Sequence, residues 1–415
     1  MKKYFKGDLG IWAILFMLCV FSLLVVYSAT GALAYRFAGG NTAYYILRHG
    51  ILLCGGLGVA YFFHKISYRY YAGLSKLLIV VAPVLLVVTL LFGVDENEAT
   101  RRISLFGITF QTSDFAKLAL IMFLARWLAV NQERVFDFRK KVFPVFLLIS
   151  VVCALILPAN FSTAALLFVI SMALLFVGRV AFKHILMLAG IAIVTISLTV
   201  GGIYGLHKAG AFDANRHLPT KRVITWVGRL SSFFGEDGET EKDSYQADQA
   251  KIAVGTVGLL GKGPGNSIQR NFLPHPYSDF VFAIIIEEWG DVIATVVLAL
   301  YLALLFRTVQ IVRKCERTFP AFLATGLSFS IVFQAMLNMM VAVGLFPITG
   351  QPLPMISMGG TSILATGVAF GIILGISREI NEQEEKSARK IAAVQPVGHS
   401  NTSAEKTINT SKPTT

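Results

Sequence analysis

The apolar positions of this chain fall in long unbroken blocks, not in strand-like alternation or one-faced helical stripes. Ten blocks are legible, at roughly 10–30, 45–63, 76–93, 113–130, 142–158, 162–178, 184–206, 279–306, 320–345 and 361–378. Many approach the about 20 residues that a helix needs to cross the hydrocarbon layer of a bilayer. A helix apolar on every side has no face for water, so the pattern predicts membrane spans. The polar connections alternate in charge. Lys2, Lys3 and Lys6 precede the first block, and Lys65, Arg69 and Lys76 lie between the second and third. Arg134, Arg139, Lys140 and Lys141 follow the fourth, Arg179 and Lys183 the sixth, Arg307, Arg313, Lys314 and Arg317 the eighth, and Arg378 the tenth. Short basic connections stay on the cytoplasmic side, which puts both termini inside and the intervening connections outside. One outer connection is long, about 207–278, between the seventh and eighth blocks. The expected architecture is therefore an all-α integral membrane domain over 1–380 with about ten transmembrane helices. A tail over 381–415, rich in Glu, Lys, Ser, Thr and Asn, is expected to be disordered and cytoplasmic.

Composition agrees with the blocks. Of 415 residues, 55% are hydrophobic and only 15% charged, and the mean hydropathy is +0.66, which excludes the soluble classes. The net charge of +13 would suit nucleic acid, but Lys and Arg gather in the short connections, so no nucleic-acid partner is expected. Cys19, Cys54 and Cys153 lie in apolar blocks and Cys315 in a basic connection, with no metal-binding spacing and no disulfide expected. The basic start and apolar run at the N-terminus read as a first membrane helix, because Tyr27-Ser-Ala-Thr-Gly31 makes a poor cleavage site.

The chemically unusual residues collect on the outer side. In the stretch 273–290, two prolines precede Ser278 and Asp279, and an apolar run then carries Glu287 and Glu288. Ionisable groups at membrane depth are functional suspects. Asp279 reads either as part of a helix cap or as a reacting group; Glu287 and Glu288 read equally as structural partners of basic side chains. The fourth block opens with Asp114 and Lys117 on one helix face. They either satisfy each other, or Lys117 faces Asp279 across a polar cavity and keeps it ionised. The long connection holds Lys221, Arg222 and Arg229 at helical spacing, then Gln246 and Gln249, then Gly255, Gly258, Gly261, Gly263 and Gly265. Such glycines let backbone approach an anion, or let a re-entrant segment pack tightly. The last outer connection, from 344 to 360, is rich in Pro and Gly and reads as a broken or re-entrant segment, tolerated only when buried in protein or lining a wet cavity.

Six stretches occur in order across the ten blocks: Tyr27-Ser-Ala29, Arg101-Arg102, Gln111 to Lys117, Tyr245 to Gly265, Leu273 to Gly290, and Asn338 to Ser362. Together they resemble the SEDS family of bacteria (shape, elongation, division and sporulation), which includes the FtsW and RodA proteins. Gly263-Pro-Gly-Asn-Ser267 with Asn271-Phe-Leu-Pro274 is closer to the FtsW side. The resemblance implies a SEDS-type helical bundle and a peptidoglycan glycosyltransferase that polymerises lipid II outside the cytoplasmic membrane, at the division septum on the FtsW reading. It implies a class B penicillin-binding protein transpeptidase and other divisome membrane proteins as partners, and a divalent cation, Mg or Mn, whose ligands are not legible. The family's essential acidic residue falls on Asp279, with Lys117, Asp114, Glu287 and Glu288 in support. Substrate contacts are expected from Arg101, Arg102, Arg222, Arg229, Gln246, Gln249 and Ser357. This chain has Asp114 where the family usually has Glu, Asn160 in place of an Asp, and His275 in place of a Glu, so neither 160 nor 275 is the base. The rival classes are a lipid II flippase, for which a broken segment among polar residues would also serve, and a non-catalytic division scaffold.

Overall fold

The computed structural model describes residues 6–31, 33, 35, 39, 41–96, 99–105, 108–132, 138–208, 218–234, 241–273 and 276–394. A helix forms over each of the ten apolar blocks. These are α1 (Leu9–Ala29), α2 (Thr42–Lys65), α3 (Tyr68–Phe92), α4 (Thr112–Val130), α5 (Phe143–Ile156), α6 (Phe161–Val177) and α7 (Phe182–Lys208). After α8 (Leu218–Phe234) and α9 (Glu241–Gly255), both in the long connection, come α10 (Val281–Arg313), α11 (Thr318–Ala342) and α12 (Thr361–Val394). Seven of them, α1, α2, α3, α7, α10, α11 and α12, are long and apolar enough to cross a membrane by themselves.

Helix α4 is not among the seven and shows where the core lies. It carries Asp114, Lys117 and Arg126, yet Leu120, Ile121, Leu124 and Leu128 are fully buried. It packs against α3, α6 and α11, so its polar groups meet protein instead of lipid. Helices α2 and α12 approach closely through small residues. A Cβ on Gly367 would lie 2.5 Å from the Gly56 carbonyl oxygen, and one on Gly371 would lie 2.5 Å from that of Ala60. In lipid, where apolar side chains gain little by leaving the solvent, such backbone contact supplies the packing energy.

The two ends of the bundle differ in the contacts they hold. At one end, Lys6 pairs with Glu382 at 3.1 Å, Arg307 with Asp8 at 3.6 Å and Lys314 with Glu384 at 3.1 Å, while Glu379 accepts from the Tyr68 backbone N–H at 3.0 Å. At the other end Thr89 donates to Thr112 at 2.9 Å and Gln351 to Thr163 at 2.7 Å.

The structure adds one element to the expected helices: after α3, Val94–Glu96, Ala99–Leu105 and Ile108–Gln111 form an antiparallel sheet, β1-β2-β3, with Arg102 opposite Gln111. Thr100, Ile103, Ile108 and Thr109 are β-branched, which the charges around them obscured. The tail is not disordered from 381. Helix α12 continues to Val394, because Glu, Lys and Ala are strong helix formers and Glu382 and Glu384 find cations on neighbouring elements. Residues 395–415 lie outside the described residues.

Candidate active site

Leu273, Pro276 and the turn to Phe280 lead into α10, whose first helical residue is Val281 and whose N-cap is Phe280. Asp279 therefore precedes the helix, and no side chain caps α10. The capping reading of Asp279 falls on this geometry. Its carboxylate is half-buried; Oδ1 accepts from the Ser278 hydroxyl at 2.9 Å, and a Cβ on Gly350 would lie 3.6 Å from Oδ2.

The segment facing it, residues 350–358, is irregular backbone held by surrounding helices. Asn338 on α11 donates to the carbonyls of both Asp279 (2.8 Å) and Gln351 (2.7 Å). Gln334, one turn earlier, donates to the Pro352 carbonyl at 2.9 Å. Gln351 donates to Thr163 on α6, Ser22 on α1 donates to the Ile356 carbonyl at 2.7 Å, and Tyr301 on α10 donates to the Pro354 carbonyl. The Met358 N–H donates to the Tyr277 carbonyl at 2.9 Å, joining the segment to the Asp279 turn. Met355 is fully buried with φ +64°, a conformation that costs a non-glycine residue and persists only where the surroundings dictate it. Polar backbone at membrane depth is thus satisfied inside the protein, and Asp279 is presented from a rigid frame.

Lys117 is 12% exposed and lies 3.4 Å from Asp114 Oδ1. Its ammonium donates to Gln334 Oε1 at 2.9 Å. Among the described residues Lys117 pairs with Asp114, as the local reading had it, and no ion pair within 4.0 Å joins it to Asp279. The link is indirect: Lys117 orients Gln334, which grips Pro352 beside the Gln351–Asn338–Asp279 contacts. Asp114 Oδ2 is buried without a partner, within the first turn of α4, where the helix dipole favours a negative charge.

Glu287 and Glu288 are fully buried and serve as staples. Glu287 receives Lys262 at 2.7 Å, the Ser267 hydroxyl, and the backbone N–H groups of Ile268 and Gln269 at 3.0 and 3.2 Å. Glu288 receives the Ser28 hydroxyl and the Ser267 N–H at 3.3 Å, with Arg270 at 4.0 Å. They pin the glycine-rich segment 259–270 against α10. At Gly290, φ +76° and ψ 179° break the helix, and a Cβ there would lie 2.2 Å from the Leu259 carbonyl oxygen. Tight re-entrant packing, not exposure to a ligand, explains Gly261 and Gly290.

The remaining candidates separate. Ser357 is fully buried, donates to the Ser278 carbonyl at 2.6 Å and accepts from the Leu353 N–H at 2.7 Å, so its hydroxyl is a clasp within the protein and not a substrate contact. Arg229 on α8 is half-buried and reaches the Ile348 carbonyl at 3.5 Å, two residues before Gly350. Gln246 and Gln249 are half-buried on α9, with no hydrogen bond to the Asp279 turn among the described residues. Arg101 and Arg102 lie on β2 and Arg222 on α8; their side chains are outside the described residues, as is His275. Asn160 caps α6, accepting from the Thr163 N–H at 3.1 Å. Gln334, Thr163 and Gln351 were missed from sequence, although a Gln and an Asn four apart in the apolar α11 are the kind of polar pair that marks an interior face. The divalent cation finds no prepared cage: no three His, Cys, Asp or Glu side chains converge among the described residues, and Asp279 stands as a single carboxylate.

Residues 9–382 match the family model described as a cell cycle protein, FtsW/RodA/SpoVE. Stage V sporulation protein E of Bacillus subtilis is 30% identical over 382 residues, 91% of this chain and 98% of the relative. A probable peptidoglycan glycosyltransferase FtsW of Nitrosococcus halophilus is 32% identical over 346 residues, 82% of this chain and 84% of the relative. Among solved structures, the rod shape determining protein RodA of Thermus thermophilus has a TM-score of 0.64 at 23% identity, covering 91% of this chain and 98% of its own. A chain from a peptidoglycan synthase complex, described as coordinating polymerization and crosslinking, has a TM-score of 0.67 at 24% identity, covering 90% and 98%.

Proposed function

The chain belongs to the FtsW/RodA/SpoVE family of cell cycle proteins, and from that membership we propose that it is a peptidoglycan glycosyltransferase, polymerising lipid II at the outer face of the bacterial cytoplasmic membrane. The observation that carries the reading is Asp279. It is a carboxylate at the mouth of an intramembrane helix, it does not cap that helix, and it is held beside Gly350 by a frame drawn from several helices. A single carboxylate fits a reaction whose leaving group needs no acid. The donor sugar is already linked to undecaprenyl pyrophosphate, so only the acceptor must be activated.

Asp279 takes the proton of the acceptor N-acetylglucosamine 4-hydroxyl as that oxygen attacks C1 of the donor N-acetylmuramic acid. The C1–O bond to the pyrophosphate breaks, and its electron pair leaves with the undecaprenyl pyrophosphate. Attack from the face opposite the leaving group inverts C1, giving a β-linked strand from an α-linked donor. Lys117 acts through Gln334 and Pro352 as a positioning residue. Arg229, reaching the loop beside Gly350, and Arg101, Arg102 and Arg222 on the same outer connections are the candidates to meet the pyrophosphate. The site polar groups collect at one end of the bundle, which suits chemistry at one face better than a carrier needing access to both. Septal synthesis, orientation with both termini inside, and a crosslinking transpeptidase partner belong to the same proposal; the FtsW relatives support the first, the basic connections the second and the synthase-complex neighbour the third.

The test is purified protein in proteoliposomes, given lipid II with and without the transpeptidase, with glycan strands resolved on a gel. Asp279→Asn keeps the shape and removes the base. The expected result is normal folding, retained lipid II binding, and polymerisation reduced by about 10²–10⁴-fold. Polymerisation near the wild-type rate overturns the role of Asp279.

A further inference from the structure

At the end of the bundle away from Asp279, a cavity of about 460 Å³ opens at the α6–α7 turn, lined by Gln132, Val177, Gly178, Arg179 and Phe322. Its cation is placed at a conformational cost. Helix α6 closes with the Val180 N–H donating to the Leu175 carbonyl at 3.1 Å and the Arg179 N–H to that of Phe176 at 3.0 Å. This closure puts Arg179 in the left-handed position that glycine ordinarily fills, with φ +63°. Gly178 does not supply it, because it is needed one residue earlier, where a Cβ would lie 2.4 Å from a Leu128 methyl. The closing hydrogen bonds account for the left-handed backbone, but the Arg179 side chain is exposed and has no hydrogen-bond or ion-pair partner among the described residues, so nothing described there uses the cation.

The walls add the second half of the complementarity. Val177 and Phe322 give the cavity apolar sides, and the exposed rings of Phe176 and Phe182 flank Arg179 in sequence and pack edge-on at 6.1 Å. Lys183 lies four residues beyond Arg179, in the first turn of α7, and Arg317 is the residue before α11, the helix that supplies Phe322. A mouth with one arginine on a specified backbone, apolar walls and exposed aromatics nearby matches a phosphodiester with acyl chains attached. A phosphate alone is much smaller than the cavity. We propose that this cavity binds the headgroup of an anionic phospholipid, with Arg179 contacting its phosphate. The orientation proposed above enters only in naming the inner leaflet as the source.

The experiment uses the full chain in nanodiscs of phosphatidylcholine with or without phosphatidylglycerol. Lipid retention is read by native mass spectrometry and unfolding by tryptophan fluorescence. Wild type is expected to retain phosphatidylglycerol through detergent exchange and to melt higher with it than without it. Arg179→Gly relieves the left-handed backbone while deleting the cation. It is expected to melt no lower than wild type in phosphatidylcholine and to lose phosphatidylglycerol retention by about five- to tenfold, with Arg179→Lys intermediate. Equal retention by wild type and Arg179→Gly overturns the site, and so does a lower melting point of Arg179→Gly in phosphatidylcholine, which would make Arg179 a structural contact. Stabilisation by inorganic phosphate in phosphatidylcholine discs, matching that by phosphatidylglycerol, overturns the lipid assignment. Polymerisation of lipid II is not read, so these outcomes stand apart from the fate of the proposed activity.

Discussion

Asp279 and Glu287 are eight residues apart and stand in opposite relations to their surroundings. Glu287 is fully buried with its oxygens taken by Lys262, Ser267, Ile268 and Gln269, whereas Asp279 is half-buried and holds one hydroxyl. A carboxylate saturated with donors has no lone pair to offer a substrate; one with an open oxygen does. Lys117 is a third case, because its ammonium compensates a carboxylate that would otherwise be stranded. Lys117→Met leaves Asp114 buried with a full charge, and removing one partner of a buried pair costs about 3–5 kcal/mol. The double variant Asp114→Asn/Lys117→Met removes both charges and is expected to recover most of the thermal stability. It should not recover polymerisation, because Gln334 still lacks the donor that orients it toward Pro352. Recovery of both together would show that Lys117 serves stability alone. At this scale the sequence displayed the unusual residues but not their use. The Asp114–Lys117 spacing announced a pair, and helix α10 with two interior glutamates announced buried polar contacts. That Ser357 turns inward to clasp Ser278, and that Lys117 meets Gln334 and not Asp279, depends on how distant helices cross, and no local spacing encodes it.

Elements were more legible than contacts, because bilayer thickness sets helix length and loop charge sets direction. All ten apolar blocks became helices, α5 and α6 included, though these have only 14 and 17 residues. What escaped was structure whose signal is not hydrophobicity: the small β sheet before α4, the helical extension of α12, and the break at Gly290. The α2–α12 contact shows how much rests on residues that carry no side-chain signal. Gly367, Gly371 and Gly375 on α12 recur every four residues and face the backbone of Gly56, Ala60 and His64. A side chain at Gly371 must displace Ala60 backbone and the Phe63 Cβ, which would lie 2.5 and 2.8 Å from its Cβ. Gly371→Leu is therefore expected to lower stability by about 1–3 kcal/mol, read as earlier loss of the monodisperse peak on heating in detergent. Gly58→Leu on the partnering α2 meets nothing within 4 Å and is expected to leave the melting point unchanged, which separates a packing effect at the α2–α12 contact from a general intolerance of leucine in these helices.

For the whole molecule, the decisive quantity is which end of the bundle faces which compartment, since the reaction proposed for Asp279 needs lipid II on its own side. On the proposed orientation the end bearing the basic connections is cytoplasmic; there Lys6 pairs with Glu382, Arg307 with Asp8 and Lys314 with Glu384, and Glu379 accepts from the Tyr68 N–H, tying the N-terminal segment, α3, α10 and α12 together. The opposite end holds Asp279, the 350–358 segment and α8 and α9. A labelling experiment reads this directly, and the native cysteines scarcely interfere. Cys19 and Cys153 are buried, Cys54 lies on the lipid-exposed surface of α2, and burial pushes the Cys315 thiol up to about 11, leaving little thiolate near neutral pH. Asp248 is well exposed on α9, and Ser387 is exposed on the extension of α12. In intact spheroplasts an impermeant maleimide is expected to label Asp248→Cys and to spare Ser387→Cys; after permeabilisation both should label. Labelling of Ser387→Cys in sealed cells, with Asp248→Cys protected, would put Asp279 at the cytoplasmic face. There it would meet lipid II before translocation, and polymerisation outside the membrane could not be its task, however well the isolated site suits the chemistry.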